Sequence, residues 1–171
     1  MINFSWLKKY SCIDDDFANN MQKYKHKFTP LNYEEIGAQE ERMGRRFPEE
    51  LREFYIQIGY GAFGINTRLC LDLVLPPEDV VDSIMEEGMF EDNDIIDDID
   101  LKSKMIFFDA GDNTYLCLDL LKEDCEGRCP VVYATVNKCV CLAKSLEDFA
   151  KKWMKSLVII HICGENFYIC K

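Results

Sequence analysis

Apolar residues recur along this chain with two periods, one near 3.6 residues and one near 2, and the switches between them outline its elements. The stretch Met43 to Gly64 holds the clearest helix. Pro48 suits a first helical position, where its missing N–H costs nothing, and Glu49 and Glu50 place negative charge on the first turn's exposed amides. Leu51, Phe54, Tyr55 and Ile58 follow i, i+3, i+4, i+7, which leaves Arg52, Glu53 and Gln57 on the other side. Gly59 and Gly61 end it, since glycine accepts the left-handed backbone of many helix exits. An earlier helix starts at Asn32, whose spacing to Glu35 has the form of a capping box, and runs through Ile36 and Met43. Val80, Val81, Ile84 and Met85 predict a helix from about Pro77 to Glu87. Leu146, Phe149, Ala150 and Trp153, behind the cap Ser145, predict the last one. In residues 1–31, Phe4, Leu7, Tyr10, Ile13, Phe17, Met21 and Tyr24 recur at near-helical spacing, with Ser11-Cys12 and Asp14-Asp15-Asp16 as splitting points.

The shorter period marks strands. Leu69 to Leu75 reads as a buried strand stopped by Pro76-Pro77. Ile106 to Phe108 and Tyr115 to Leu118 flank Asp109-Ala110-Gly111-Asp112-Asn113, whose glycine and Asx residues predict a turn and hence an antiparallel hairpin. Val131 to Val136 and Val140 to Ala143 add two strands. Leu157 to Ile162 and Phe167 to Ile169 form a candidate hairpin around Cys163 to Asn166, a unit too small to stand alone. Helices interleaved with five or more short strands predict an α+β fold: one mixed, largely antiparallel sheet with helices packed on it. A chain of 171 residues fits one domain, able to bury roughly 70% of its extended surface.

Charge changes the picture because of where it lies. Twelve of the 31 acids fall within residues 69–101, where there is no Lys or Arg, leaving 19 acids against 20 bases elsewhere. A local field of this kind steers a basic partner and opposes nucleic acid, whose recognition needs a basic footprint. Inside it, Met89, Phe90, Ile95, Ile96 and Ile99 lie among Glu86, Glu87, Glu91, Asp92, Asp94, Asp97, Asp98 and Asp100, and Asn93 is placed to cap a short helix. Two uses fit. Either the isoleucines tuck an acidic insert onto the sheet, or apolar anchors inside an acidic rim make a partner-binding patch. No stretch of 18 apolar residues occurs and the first ten residues lack a signal-peptide core, so a cytoplasmic protein without a membrane span is expected.

The inventory for catalysis is thin. His26 sits among lysines and His161 inside an apolar strand, so no nucleophile, base and orienter can be assembled, and no enzyme is expected. Nine cysteines include Cys125, Cys129, Cys139 and Cys141, but neither pair has the CxxC spacing of structural zinc. Asp109, Asp112 and Asp119 lack the register of a calcium loop. Gly59 to Gly64 follows a helix, whereas phosphate loops precede one. Neither metal nor cofactor is expected.

The order of these pieces resembles the SUKH superfamily, shared by fungal Knr-type cell-wall regulators, the bacterial Syd protein and many bacterial immunity proteins. The matching pieces are Met43 to Pro48, Leu51 to Ile58, Gly59 to Gly64, Leu75 to Val81, Ile106 to Asp119, Cys129 to Tyr133 and Leu142 to Met154. Together they cover about residues 32–155 of the single domain. Residues 1–31 then form an N-terminal helical segment and 156–171 an extra C-terminal hairpin, a candidate for self-association. The resemblance implies structural roles for Pro48, Phe54, Gly59, Tyr60, Gly61, Asp109, Asp112, Asp119 and Pro130. It also implies a non-catalytic domain that binds a protein: a toxin domain for an immunity protein, with the local acidity suggesting a basic one such as a nuclease, or signalling and cell-wall partners for a Knr-type scaffold.

Overall fold

Eight strands of the computed structural model form one sheet in which spatial order equals chain order. They are β1 (Ser11–Cys12), β2 (His26–Thr29), β3 (Tyr60–Phe63), β4 (Asp72–Val74), β5 (Lys104–Asp109), β6 (Tyr115–Asp119), β7 (Val131–Thr135) and β8 (Lys138–Ala143). The structure describes residues 2–13, 23–64, 72–91, 93–111, 113–155, 160–163 and 166–169. Only the β1–β2 pair is parallel; every other neighbouring pair is antiparallel, so the sheet is mixed and largely antiparallel as expected. A second, two-stranded sheet pairs β9 (Ile160–Cys163) with β10 (Asn166–Ile169), the expected tail hairpin.

Five α-helices are described: α1 (Tyr33–Met43), α2 (Glu49–Gln57), α3 (Pro77–Met85), α4 (Asp94–Asp97) and α5 (Leu146–Lys155). Helix α1 begins with the predicted capping box. Asn32 Oδ1 accepts from the Glu35 amide at 2.9 Å and the Glu35 carboxylate accepts from the Asn32 amide at 2.8 Å, satisfying two otherwise orphaned donors. Helices α3 and α5 pack on the sheet through β5 and β8, and α1 and α2 rest on α3 and α5.

Aromatic edges tie these layers together. Phe54 of α2 meets Phe4 at 5.0 Å and Phe28 of β2 at 5.8 Å, both edge-on, and Phe28 meets Phe63 of β3 at 5.1 Å. The chain of rings continues through Phe108 and Phe149 to Trp153. Each such pair adds about 1 kcal/mol beyond the area it buries. A register shift between Ile106 and Phe108 lets the consecutive Phe107 and Phe108 both enter the core against Phe149, which strict alternation would forbid.

The N-terminal segment departs from its expected helical form. Its described part is a 3-10 helix, Ser5–Tyr10, followed by β1 and later β2. In β2 the period is 2, with His26 and Phe28 buried and Lys27 and Thr29 exposed, and the strand pairs with β3. Phe17, Met21 and the Asp14-Asp15-Asp16 run lie outside the described residues, as do residues 69–71 of the strand predicted over Leu69 to Leu75. Gly59 and Gly61 also serve another end than helix exit. They lie where β3 crosses β2 so closely that a Cβ at either position would meet a β2 carbonyl oxygen, at 1.9 and 2.4 Å.

Candidate functional site

The acidic stretch becomes a surface through the way α3 ends. Glu86, directly after α3, takes a left-handed backbone with φ of 56°, and Glu87 and Gly88 then lead into a short 3-10 turn, Gly88–Phe90. Arg42 of α1 clamps this exit: its Nη2 lies 2.6 Å from Asp82 Oδ1 and also pairs with Glu87. Farther on, the Ile96 amide donates to the Asn93 carbonyl as α4 begins, and Asp100 accepts from Ser103 Oγ at 2.6 Å before β5 starts. That hydroxyl, aided by the Lys102 amide and the nearby lysines, holds the Asp100 carboxyl below the usual range.

Phe90 is 1% exposed and stacks obliquely on Tyr115 of β6 at 5.7 Å, while Ile96 and Ile99 are buried as well. These side chains pin the insert to the sheet. Phe90 is thereby removed from the expected contact surface, because its ring is already spent on the core. Among the described side chains of this stretch, Met89, 61% exposed, is the apolar one that reaches solvent. The side chain of Ile95, and Asp92 altogether, lie outside the described residues.

Among the carboxylates, Glu87 is engaged internally, as is Asp82. Glu86, Glu91, Asp94, Asp97 and Asp98 are exposed and make no ion pair with any described Lys or Arg. Glu86, Asp97 and Asp100 line one cleft of about 740 Å³, together with Ile84, Ile96, Ile99, Leu101, Arg45 and Lys102. The cleft and the unpaired carboxylates beside it make this the candidate site.

Deeper carboxylates respond to burial instead. Asp72 of β4 accepts from the Trp153 side chain, yet burial, with Asp109 nearby, pushes its pKa up to about 7. Between the ordinary 3.8 and 7 the folded protein holds a proton that the unfolded chain has released, so stability falls as pH rises through this window. Asp72→Asn is therefore expected to gain stability over the parent progressively from pH 4 to pH 7 and to level off above it, as measured by thermal midpoints. A pH-independent difference would show that Asp72 ionises normally.

The residues singled out by the family likeness occupy supporting positions. Pro48 precedes α2, Phe54 is in the core, and Tyr60 of β3 pairs with Thr29. Asp109 accepts from the Gly111 amide at 2.7 Å and shapes the β5–β6 turn, of which Asp112 lies outside the described residues. Asp119, 2% exposed, pairs with Lys104 at 2.9 Å and Lys122 at 3.1 Å, and its amide donates to the Pro130 carbonyl. Burial works to raise the Asp119 pKa, but the two lysines outweigh it and hold the carboxyl below its ordinary value.

No group of three His, Cys, Asp or Glu side chains among the described residues is arranged to hold a metal. Burial pushes the Cys117 and Cys129 thiols up to about 12, which makes them poor nucleophiles, while Cys125, Cys139 and Cys141 are exposed free thiols. His26 is buried between Phe28 and Phe63, accepts from the Gly64 amide at Nδ1, and is kept neutral by a pKa lowered to about 4. No helix among the described residues is long and apolar enough to cross a membrane.

Two charged residues at work here escape sequence reasoning. Arg42 clamps Asp82 and Glu87 from 40 and 45 residues away, a separation that local spacing cannot register. Arg45 lines the cleft, and nothing in its run Met43 to Phe47 distinguishes it from Arg46.

Comparison with known proteins accords with this geometry. The family model SUKH_6, described as SMI1-KNR4 cell-wall, matches residues 33–149, well over half of the chain. The chain belongs to the SUKH family. The matched range opens on α1 and closes inside α5, so it spans the helices and strands that build and support the acidic face. This SUKH chain is also similar to the immunity protein YxxD of Bacillus subtilis strain 168, at 28% identity over 128 residues. That alignment covers 73% of this chain and 81% of the relative.

Proposed function

We propose that this SUKH chain is a protein-binding domain that neutralises a cognate bacterial toxin by occupying its functional surface, without chemistry of its own. The observation that carries the reading is the group of exposed carboxylates without a cationic partner among the described residues, Glu86, Glu91, Asp94, Asp97 and Asp98, on a segment anchored by buried apolar side chains. Likeness to a protein named as an immunity protein supports the class of partner. The sign of the charge supports a basic partner, such as a nuclease domain whose cleft is built for phosphate.

The mechanism is stoichiometric. Long-range attraction speeds encounter, and carboxylates take the places that phosphates would occupy. The acids can act this way because α3, its Arg42 clamp and the Phe90–Tyr115 contact hold the segment before the partner arrives, which limits the ordering cost of binding. Charge reversal of Asp94, Asp97 and Asp98 to lysine is expected to weaken binding to a toxin-like domain identified beside this gene. The loss should be about 100-fold, at about 1 kcal/mol per reversed rim charge, with a flatter salt dependence. Unchanged affinity and salt dependence would remove this face from the mechanism.

The family's cell-wall description favours one other reading, a Knr-type regulatory scaffold. Affinity capture from the native cell separates the two: one adjacent-locus toxin supports neutralisation, whereas several housekeeping assembly proteins support the scaffold.

A further inference from the structure

The four thiols set apart by the sequence do not converge, but two of them stand together. Cys129 is buried whereas Cys125, Cys139 and Cys141 are exposed, and no group of three or more metal-binding side chains forms among the described residues. Cys139 pairs with Ala134 of β7 and Cys141 with Val132, beyond which the register shifts, so the two lie at i and i+2 on one face of β8. Strand β8 is an outer strand of the eight-stranded sheet. Both thiols are therefore open to solvent on a backbone that β7 holds in register.

Their spacing selects what can bridge them. Residues i and i+2 of a strand stand about 6.7 Å apart, and on a shared face their Cβ atoms keep about that separation. A disulfide needs Cβ atoms within about 4.5 Å, so this pair cannot close on itself. A metal ion between the sulfurs adds two bonds of about 2.3 Å, which span about 4.6 Å in line, and a lean of about 1 Å by each sulfur supplies the rest. Zinc would still lack two of its four ligands, whereas a soft monovalent ion is satisfied by two thiolates. In the free protein Cys141 Sγ donates to the Ala143 carbonyl at 3.4 Å, a weak bond that ends when the thiol loses its proton. Lys122 supplies an independent observation. Its ammonium pairs with Asp119 at 3.1 Å, and Asp119 first, then Cys139 and Cys141, raise its pKa, which places it beside both thiols. Two thiolates around a monovalent cation leave one negative charge, which an ammonium at that position offsets.

We propose that Cys139 and Cys141 form a two-thiolate site for a soft monovalent metal ion, copper(I), with the Lys122 ammonium offsetting its charge. On binding, the two thiols give two protons to solvent, two sulfur–copper bonds form, and copper keeps its oxidation state. Cys117, whose burial keeps it protonated, stays out of the set. The site lies outside the acidic segment, and it adds a ligand to a chain whose proposed work is protein binding.

Anaerobic titration of the reduced full chain with copper(I) bicinchoninate tests it. The parent is expected to take one copper(I) per chain from the dye, with two sulfur neighbours by X-ray absorption and no change in elution volume. Cys139→Ser and Cys141→Ser should each abolish that uptake and Cys125→Ser should retain it. All three variants should keep the parent's thermal midpoint, because these thiols are exposed. Lys122→Met should weaken binding about tenfold, the scale for outer-shell partners, and Lys122→Arg, which keeps the charge, should restore it. No uptake by the parent, unchanged uptake in either the Cys139 or the Cys141 variant, equal affinity in Lys122→Met, three or more sulfur neighbours, or a copper-dependent dimer would overturn the proposal.

Discussion

Gly59→Ala is expected to destabilise the protein by about 4 kcal/mol, combining left-handed backbone strain with an overlap that packing cannot relieve. Gly59 has φ of 108°, and a Cβ built there lies 1.9 Å from the Thr29 carbonyl oxygen and 2.5 Å from its carbon. Both contacts are backbone, so no flexible side chain can move aside. Relief would require β2 and β3 to separate, breaking the Thr29–Tyr60 and Phe28–Gly61 pairing that keeps Phe28 against Phe54 and Phe63. With a denaturant slope of about 2 kcal/mol/M, the urea midpoint should fall by about 2 M. Gly37 provides the opposite control: it lies inside α1 with nothing within 4 Å of an added Cβ. Gly37→Ala should therefore stabilise the protein by about 0.5–1 kcal/mol. A Gly59→Ala midpoint close to the parent's would mean that β3 does not cross β2 as described.

Removing the Glu50 carboxylate is the second large effect. Glu50 is 1% exposed, and although it belongs to the first turn of α2, its oxygens accept from the amides of Leu146 at 2.8 Å and Glu147 at 3.0 Å. A side chain of one helix thus caps the start of another 96 residues later, alongside the Ser145 hydroxyl, which accepts from the Asp148 amide. Burial raises the Glu50 pKa, and the two amides and Ser145 work against that rise. Glu50→Ala would leave both amides buried and unpaired, at a cost of about 3 kcal/mol. Glu50→Gln keeps the shape and one acceptor, so about half that loss is expected. The readout is again denaturant unfolding, with hydrogen exchange at Leu146 and Glu147 reporting the cap directly. Normal exchange protection in Glu50→Ala would show that α5 is capped without it.

Glu50 also shows where sequence reading stops. Read locally, it is a first-turn acid of the helix it belongs to, and that is correct as far as it goes. Its burial and its second helix depend on a contact made only when α5 folds back onto α2. Elements whose signals are local were legible: the Asn32–Glu35 capping box, the apolar face of α2, the β5–β6 hairpin and Ser145 at the start of α5. Over its described residues the N-terminal segment differs from the helical reading because Leu7 and Tyr10, three apart, belong to a 3-10 helix whose period is close to that of an α-helix, after which the chain enters β1 and later β2. Gly59 and Gly61 were recognisable as special positions, but the reason, close approach of β2, is a fact about two strands some 30 residues apart.

The acidic face was legible as composition, since charge concentrated in one segment without compensating bases is visible before folding. Which residues of that segment face outward was not. Phe90, Ile96 and Ile99 share it with the acids, and only packing on Tyr115 and the sheet decides that they turn inward. Arg42 subtracts Glu87 from the free charges through a contact that no short-range pattern encodes.

Titrating this protein into a fixed amount of a toxin-like domain found encoded beside its gene, and following that domain's activity, tests the central claim most directly. Binding without chemistry predicts that activity declines linearly and reaches zero at one protein per toxin. Loss of activity at a small fraction of that ratio would require turnover, and full activity at a large excess would show that the toxin is not its partner; either result contradicts the account.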